Sequence, residues 1–330
     1  MRIAINGFGR IGRSVFRILA NDPEIQIVAI NDLAPPEALA YLLRFDTVMR
    51  TFAGSVTLDG ATLRAGQQSA DLVSCAEVSE LPWARLGVDV VVEATGRFRT
   101  RESLLGHLTA GAGKVLLTVP PKDDVDALIV VGVNDDTLRP EHRLVSNASC
   151  TTNCLAPLAK VLDDSFGLKK GMMSTVHAYT NDQRLSDWYH KDLRRSRAAG
   201  INTIPTTTGA ARAVGKVLPK LKGKLDGIAM RVPVPNGSIV DLVAILGRDV
   251  TVEEVNSAIQ NAAAGPFRGI IEYSTEAIVS SDIVGNPHSC IFDAPLTQIV
   301  AARTVKVLAW YDNEWGYSNR LVDLIKLMDR

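Results

Sequence analysis

A cysteine at the start of a helical segment is the residue best suited to nucleophilic chemistry. Cys150 follows the polar run 146–149 and precedes a helical pattern over residues 155–162. Unpaired backbone N–H groups and the positive end of the helix dipole at such a position favour a thiolate. A structural cysteine at a helix start is the alternative, and this segment alone leaves both interpretations open.

A nucleophilic thiol needs a base, and the chain has five histidines. His177 ends an apolar strand pattern in the half of the chain that begins with Cys150, so its imidazole could take the thiol proton and then serve as acid or base. A packed histidine at a strand end is the other interpretation. The remaining four are predicted in less suitable places: surface-like for His107 and His142, a charged loop for His190, and the end of a proline turn for His288.

A glycine motif near the start of the chain predicts a dinucleotide site. A short apolar strand, residues 1–6, leads directly into Gly7, Gly9 and Gly12, and a helical pattern follows. Glycines at this turn let a pyrophosphate approach bare N–H groups at the helix start. Asp32 ends the next strand about twenty residues further on, where a carboxylate can bind the ribose and repel a 2′-phosphate. The pattern favours NAD over NADP.

Two segments of the second half could bind anions. The polar stretch 181–202 carries several basic residues and could be an anion clamp, a subunit contact or both. The threonine-rich turn 205–211 opens a helix and could hold a phosphate. Together with a thiol and a dinucleotide fold, these segments suggest an aldehyde oxidised through a covalent thioester, with phosphate groups bound alongside.

Composition excludes several classes of protein. The chain has 330 residues, of which 46% are hydrophobic and 22% charged, a composition typical of a globular protein of about two domains. With 36 basic and 36 acidic side chains, it has no excess of positive charge that would indicate nucleic-acid binding. No signal peptide or spanning segment is recognisable, so the expected location is cytoplasmic. Four cysteines form neither a disulfide framework nor a zinc motif, and no metal is predicted.

Alternating strands and helices predict a doubly wound α/β first half. Apolar strands are expected at 25–31, 88–94, 114–118 and 127–132, a crossover helix at 100–108, and antiparallel hairpins within 51–73. The second half predicts a mostly antiparallel sheet with helices on one side, from strands at 225–234, 238–247 and 304–311 and helices at 252–264 and 316–328. The boundary falls at about residue 149, giving domains 1–149 and 150–315.

Five long motifs, in order along the whole chain, resemble phosphorylating glyceraldehyde-3-phosphate dehydrogenase. They are AINGFGRIGR at 4–13, SNASCTTNCLAP at 146–157, VHAYT at 176–180, TTTGAA at 206–211 and WYDNEWGY at 310–317. The resemblance implies a Rossmann-type cofactor domain and an α+β catalytic domain, with the C-terminal helix 316–330 packed back on the former. It also implies NAD, a homotetramer and a place in glycolysis or gluconeogenesis.

The resemblance implies a mechanism and a set of site residues. Cys150 would attack the aldehyde of glyceraldehyde 3-phosphate, His177 would activate it, and inorganic phosphate would release 1,3-bisphosphoglycerate from the thioester. The positions matching the family's anion contacts are Thr180, Arg195 and Arg231 for the substrate phosphate, and Ser149, Thr151, Thr208 and Gly209 for the attacking phosphate. The positions matching its cofactor contacts are Arg10, Ile11, Asp32, Thr118 and Asn313, beside the three glycines.

Three departures from the family pattern stand out. Trp188 and Tyr189 replace a usual Leu-Pro in the basic loop, which in the family lines a neighbouring subunit's cofactor site, so the rings could alter the preference between NAD and NADP. Ala76 stands where a basic residue often meets the adenine. Met49 and Arg50 replace His-Gly, and the sequence offers no functional explanation for that change.

Three other functions compete with this interpretation. Erythrose-4-phosphate dehydrogenase uses the same thiol and imidazole, although Asp32 and the motifs at 177–180 and 207–209 resemble the triose enzyme. A non-phosphorylating aldehyde dehydrogenase would need no site for attacking phosphate. A non-enzymatic NAD-binding protein could keep the fold, but the retained thiol, imidazole and anion ligands argue against it.

Overall fold

Apolar strands buried on both faces form the centre of the first sheet. In a computed structural model, which describes residues 1–329, every residue of strand β6 (Val90–Glu93) and all but the first of strand β1 (Arg2–Asn6) are buried. Such strands favour parallel pairing between covering helices. β1 pairs in parallel with β2 (Gln26–Asn31) on one side and with β6 on the other, and β6 pairs with β7 (Lys114–Leu117). This is the doubly wound arrangement predicted from the sequence.

The first sheet has nine strands in the order β3-β4-β5-β2-β1-β6-β7-β9-β8. Its elements are β1 Arg2–Asn6, α1 Arg10–Leu19, β2 Gln26–Asn31, α2 Pro36–Arg44, β3 Val56–Asp59, β4 Thr62–Ala65, β5 Gln68–Val73, α3 Trp83–Leu86, β6 Val90–Glu93, α4 Arg101–Thr109, β7 Lys114–Leu117, β8 Ala127–Leu128 and β9 Leu144–Ser146.

The predicted hairpins are present, whereas one predicted strand is shorter than expected. β3, β4 and β5 form an antiparallel meander, and β5 joins the parallel strands through β2. The strand expected over 127–132 extends only over Ala127–Leu128, because the chain then turns and Gly132 takes a φ of 82°. An apolar run alone did not distinguish a strand from a buried turn.

A long helix covers one face of the second sheet. α5, Cys150–Phe166, contacts four strands, which are β10 (Leu168–Ala178), β13 (Ser238–Leu246), β15 (Cys290–Asp293) and β17 (Thr304–Tyr311). Two helices flank it, α6 (Ala210–Val217) and α7 (Val252–Ala264). The sheet order is β11-β12-β10-β13-β17-β15-β14, with β16 paired to β17. Most pairings are antiparallel, as predicted, but two are parallel: β10 with β12 and β14 with β15.

The remaining elements follow α5 along the chain. They are β10 Leu168–Ala178, β11 Ile204–Thr207, α6 Ala210–Val217, β12 Leu225–Val232, β13 Ser238–Leu246, α7 Val252–Ala264, β14 Ile271–Ser274, β15 Cys290–Asp293, β16 Gln298–Val300, β17 Thr304–Tyr311 and α8 Trp315–Met328. A reciprocal capping box between Thr251 and Glu254 fixes the start of α7.

The chain folds into two compact units. The first comprises residues 1–129, 135–149 and 318–330, and the second comprises 130–134 and 150–317. The end of α8 therefore belongs to the first unit, where Lys326 forms an ion pair with Asp22 and Met328 accepts a hydrogen bond from Lys114 Nζ. Within residues 1–329, no helix combines the length and apolar character needed to cross a membrane.

Candidate active site

The first residue of α5 is Cys150. Its thiol is half-buried, and the helix carrying it packs on the strands of the second sheet. Helix and sheet are both part of the second unit. Regular backbone pairing in the sheet therefore fixes the strand side chains that face this helix.

Strand alternation directs His177 toward the thiol. On β10, Met173, Thr175 and His177 are buried, whereas Met172 is 63% exposed, so one face of the strand is covered. His177 Nε2 lies 3.5 Å from Cys150 Sγ. The structure thus brings together the thiol and the imidazole that the sequence suggested as a pair.

Two groups contact the other ring nitrogen of His177. Its Nδ1 lies 2.7 Å from the carbonyl oxygen of Ala178 and 2.6 Å from Nη1 of Arg231, whose strand position pairs directly with His177. With Nδ1–H donated to the carbonyl, Nε2 faces the thiol as a base. With Arg231 donating to Nδ1, the proton lies on Nε2 instead. Nε2 of His177 can therefore serve as a base in one tautomer and as an acid in the other.

A tyrosine that the sequence analysis gave no role lies directly beside the pair. The Tyr311 hydroxyl is 2.8 Å from the hydroxyls of both Thr151 and Thr175, and its ring meets the His177 ring edge to face, with centroids 5.9 Å apart. Burial raises the pKa of Tyr311 well above its usual range, so the hydroxyl stays neutral. Its contacts tie the start of α5 to β10 and β17.

Burial changes the protonation behaviour of the pair. Desolvation raises the pKa of the Cys150 thiol, although the Arg231 charge and the Thr151 hydrogen bonds lower it. The hydrogen bonds at the helix start therefore favour the thiolate, as expected from the sequence, but desolvation outweighs them. Desolvation, followed by the Arg231 charge, lowers the pKa of His177 to about 3.

Of the ligands expected for one anion, Arg231 contacts the second ring nitrogen of His177. Arg231 Nε is buried and has no hydrogen-bond partner among the described residues, so it is an unused donor. Arg195 is anchored by Nε donating to Thr206 Oγ1 and by an ion pair with Asp182. The Thr180 backbone N–H donates to Gln183. After desolvation, the charges of Arg231 and Arg195 also lower the pKa of His177.

The ligands expected for the second anion come from two helix starts. Ser149 immediately precedes α5 and Thr151 lies in its first turn, where the Thr151 hydroxyl contacts Tyr311. Thr208 and Gly209 precede α6, which contacts α5. A Cβ built on Gly209 would meet no atom within 4 Å, so this helix start is open. The Thr208 hydroxyl accepts a hydrogen bond from the Ala210 N–H.

The glycine motif forms part of a cleft of about 260 Å³ in the first unit, whose lining includes Asn6, Gly7, Gly9, Asn31, Asp32 and Thr95. Gly7 has a φ of 94°, and a Cβ there would lie 2.7 Å from Thr95 N; a Cβ on Gly12 would lie 2.2 Å from Gly7 O. Gly9, at the uncapped start of α1, has open space around it. These are the properties that a pyrophosphate cradle requires. We call this the cofactor cleft.

The other expected cofactor contacts are distributed around both units. Asp32 is rigid because its carboxylate accepts hydrogen bonds from Phe8 N at 2.8 Å and Ala34 N at 3.0 Å. Ile11 is half-buried in the first turn of α1, and Arg10 beside it forms an ion pair with Asp46. Thr118 Oγ1 donates to the Glu93 carbonyl. Asn313, in the second unit, accepts hydrogen bonds on Oδ1 from Gly237 N and Ser238 Oγ.

One expectation about a histidine is wrong. His107, predicted to be surface-like, has no exposed surface; it lies between Trp83 and Glu93 in the first unit. The sequence around it gave no sign of burial, since α4 has charged residues at its start and its apolar side chains form no clear stripe. The burial of His107 depends on Trp83 and Glu93, two buried partners that are distant from it in sequence.

Together, the doubly wound unit with its glycine cleft and the thiol–imidazole pair of the second unit are typical of a dinucleotide-dependent dehydrogenase. Comparisons with known proteins are more specific. The family described as "Glyceraldehyde 3-phosphate dehydrogenase, NAD binding domain" matches residues 1–101, and its C-terminal domain matches residues 149–313. The chain belongs to the glyceraldehyde-3-phosphate dehydrogenase family.

Curated relatives agree along the full chain. The "Glyceraldehyde-3-phosphate dehydrogenase" of Streptomyces coelicolor is 54% identical over 98% of this chain and 97% of its own length. That of Mycolicibacterium smegmatis is 52% identical over 100% and 99%, and "Glyceraldehyde-3-phosphate dehydrogenase 2" of Bacillus subtilis is 53% identical over 99% and 96%. These matches confirm the family resemblance, the fold class and NAD as the cofactor.

Proposed function

We propose that this protein oxidises glyceraldehyde 3-phosphate to 1,3-bisphosphoglycerate, using NAD and inorganic phosphate. The observation that carries the proposal is the 3.5 Å contact between Cys150 Sγ and His177 Nε2, with the Arg231 guanidinium against the other ring nitrogen. A thiol, a base and a cation within one cluster are what nucleophilic attack on an aldehyde with a charged tail requires.

Proton transfer within the pair activates the thiol. Burial disfavours a lone thiolate and a lone imidazolium, but a proton moved from Sγ to Nε2 leaves a pair with no net charge. Backbone N–H groups at the start of α5 and the Arg231 charge stabilise the sulfur anion. Cys150 then attacks the aldehyde carbon to form a thiohemiacetal, and the His177 imidazolium donates to the developing oxyanion.

Oxidation and phosphate attack follow on the same sulfur. NAD, when bound, accepts the hydride that the thiohemiacetal loses on becoming a thioester. His177 takes the hydroxyl proton in that step, so its Nε2 acts alternately as base and acid. Inorganic phosphate then attacks the thioester carbonyl, and the leaving sulfur is released as the thiolate that began the cycle.

Two anion sites serve the two phosphate groups. We assign the substrate phosphate to Thr180, Arg195 and Arg231, because the buried Nε of Arg231 is an unused donor and Arg195 is held in place by Thr206. The attacking phosphate is assigned to the helix starts carrying Ser149, Thr151, Thr208 and Gly209, where the positive end of each helix favours an anion. The open space at Gly209 supports this assignment.

The cofactor is assigned to the cleft of the first unit. Gly7, Gly9 and Gly12, with Arg10 and Ile11 at the start of α1, would hold the pyrophosphate, and Asp32 would accept hydrogen bonds from the adenosine ribose. Thr118 and Asn313 would complete the site by resemblance. Since Asn313 Oδ1 already accepts two hydrogen bonds, its Nδ2 group would be the one that contacts the carboxamide of the nicotinamide ring.

The same resemblance supports a domain assignment and an oligomeric state. We assign cofactor binding to residues 1–149 with the C-terminal helix, and catalysis to residues 150–315. A homotetramer is supported by five exposed apolar side chains of the segment 181–202: Leu185, Trp188, Tyr189, Leu193 and Ile201. A cytoplasmic role in glycolysis or gluconeogenesis follows from the resemblance alone.

Initial rates of NADH formation test this function. With glyceraldehyde 3-phosphate and NAD, we expect turnover that depends on inorganic phosphate and that falls sharply with erythrose 4-phosphate. Cys150→Ser should abolish turnover while leaving the Kd for NAD within about twofold, because the cofactor cleft lies elsewhere in the chain. Rates unaffected by phosphate would favour a non-phosphorylating dehydrogenase, and a preference for the erythrose compound would favour the tetrose enzyme.

A further inference from the structure

A chain of buried polar side chains runs beneath the cofactor cleft. Trp83, His107, Glu93, Asn6 and Asn31 are joined by successive hydrogen bonds, and all five are buried. They come from five parts of the first unit: α3, α4, β6, β1 and β2. We call these five residues the buried polar network.

The carboxyl group of Glu93 lies at the centre of this network. Oε2 receives the His107 Nε2–H at 3.0 Å and the Asn6 side-chain amide, and Oε1 receives the Thr95 N–H at 2.9 Å and the Thr95 hydroxyl. Each oxygen therefore accepts two hydrogen bonds. These four donors fix the orientation of the Glu93 carboxyl group.

Trp83 fixes the tautomer of His107. The indole Nε1–H, which can only donate, lies 3.0 Å from His107 Nδ1, so Nδ1 must accept. The ring proton is therefore on Nε2 and points at Glu93. With Trp83 and His107 both lacking exposed surface, neither ring can find water as a substitute partner.

The network ends on the lining of the cofactor cleft. Asn6 Oδ1 accepts from Asn31 Nδ2 at 2.7 Å, and Asn31 exchanges two hydrogen bonds of 2.9 Å with the Cys75 backbone. Asn6, Asn31, Cys75 and Thr95 all line the cleft, whereas Trp83, His107 and Glu93 do not. Each of the four lining residues is thus held by a bond that leads back to Glu93 directly or through Asn6.

We propose that His107 and Glu93 are positioning residues for the cofactor, which set NAD affinity without touching it. This rests on the proposed function only in taking NAD as the occupant of the cleft. A purely structural pair at this depth would be replaceable by apolar side chains with little loss. Here the polar groups fix the orientation of two groups that line the cleft, the Asn6 side-chain amide and the Thr95 backbone N–H. Apolar side chains could not do so, because they form no hydrogen bonds.

Two substitutions of His107 separate positioning from packing. His107→Gln can still accept from Trp83 and donate to Glu93, whereas His107→Leu can do neither. We expect the Kd for NAD, measured by titration calorimetry on the full-length protein, to rise roughly tenfold in His107→Leu and to stay within about twofold in His107→Gln. With saturating NAD, kcat should be unchanged in both variants.

Leu104→Ala is the matched control for lost stability. Leu104 is a fully buried residue on the same helix and belongs to an apolar cluster with Val115, Leu117 and Leu144, none of which is part of the network. The Leu104→Ala substitution should lower the melting temperature without changing the Kd for NAD. If His107→Leu destabilises the protein but binds NAD as tightly as Leu104→Ala does, the proposal is wrong.

A second variant covers the case in which His107→Leu does not fold. Trp83→Phe keeps His107 but removes the donor that fixes its tautomer, so affinity for NAD should fall severalfold at unchanged kcat. Unchanged affinity in that variant would overturn the proposal. The comparison uses binding, so it stands even if the wild-type protein failed to oxidise glyceraldehyde 3-phosphate, an outcome that would count against the proposed function alone.

Discussion

At the scale of single residues, the site depends on one cation as much as on the thiol and the imidazole. Arg231 contacts His177 Nδ1 and the Ala178 carbonyl, and its charge lowers the pKa values of both His177 and Cys150. The same side chain is the proposed ligand of the substrate phosphate. We therefore expect substrate binding and thiol ionisation to be coupled through Arg231.

Replacing Arg231 by methionine should move the reactivity of Cys150 to higher pH. Loss of the positive charge raises the pKa of the thiol, so the thiolate that reacts with iodoacetamide forms only at higher pH. The pH profile of alkylation measures this shift. Arg231→Lys keeps the charge and should stay close to the wild-type profile, and coincident profiles for all three proteins would contradict the electrostatic role.

Asp32 should determine the choice between NAD and NADP. Its carboxylate is held by two backbone N–H groups in the cleft and would lie against a 2′-phosphate. Asp32→Asn removes the charge at nearly constant shape, and the ratio of kcat/KM for NAD over NADP should fall at least roughly tenfold. Asp71→Asn, at an exposed position on the neighbouring strand β5, should leave the ratio unchanged.

The sequence predicted those site residues that belong to contiguous motifs and missed those that depend on distant partners. Cys150 and His177 were identifiable because each lies in a motif whose local structure explains its chemistry. Tyr311 contacts Thr151 and Thr175, and such a cluster arises only from the pairing of strands far apart in sequence. The direction of the Cys150 pKa depended on burial, which the helix start alone does not specify.

At the scale of elements, the loop after α2 contains a strained residue. Arg50 has a φ of 63°, a left-handed conformation that costs a non-glycine residue about 1–2 kcal/mol. The loop is held there by Arg17, whose guanidinium donates to the carbonyl oxygens of Leu43, Met49 and Arg50. The family's usual glycine at this position would adopt the same backbone without strain.

Arg50→Gly should therefore stabilise the protein. Relief of the left-handed strain, partly offset by the greater freedom of glycine in the unfolded chain, predicts a gain of about 1 kcal/mol in the free energy of unfolding. Urea denaturation followed by circular dichroism measures the gain. Arg64→Gly, within strand β4, should instead destabilise, and a loss of stability in Arg50→Gly would show that the conformation costs nothing.

Elements with a clear period or cap were predictable, and those without were not. The helix expected at 252–264 begins after a Thr251 capping box and has the bounds predicted. By contrast, the run after Ala127 is apolar but forms only two residues of strand, because its backbone turns and positions 130–134 belong to the second unit. Hydrophobicity indicated burial there without specifying the backbone conformation.

At the scale of the whole molecule, the segment 181–202 carries more exposed apolar surface than an isolated chain would be expected to keep. Leu185 is 89% exposed, and Trp188 and Tyr189 are each 74% exposed. Apolar side chains gathered on one segment in this way are typical of a surface that pairs with another subunit.

Trp188→Glu should weaken the proposed homotetramer. A charge within an apolar contact costs desolvation energy, so the mass measured by analytical ultracentrifugation at low micromolar concentration should shift toward smaller species. Leu105→Glu, at a 42% exposed position on α4, is the control and should leave the mass unchanged. A monomeric wild-type protein would contradict the proposed oligomer.

The central claim, that oxidation proceeds through a thioester on Cys150 which only phosphate resolves, is tested most directly by a phosphate-free burst experiment. Mixing the protein with glyceraldehyde 3-phosphate and NAD without phosphate should give a rapid burst of about one NADH per chain, followed by a much slower rate, with the acyl adduct on Cys150 detected by mass spectrometry. Added phosphate should restore rapid turnover. Continuous NADH formation without a burst, or an adduct on another residue, would contradict the mechanism.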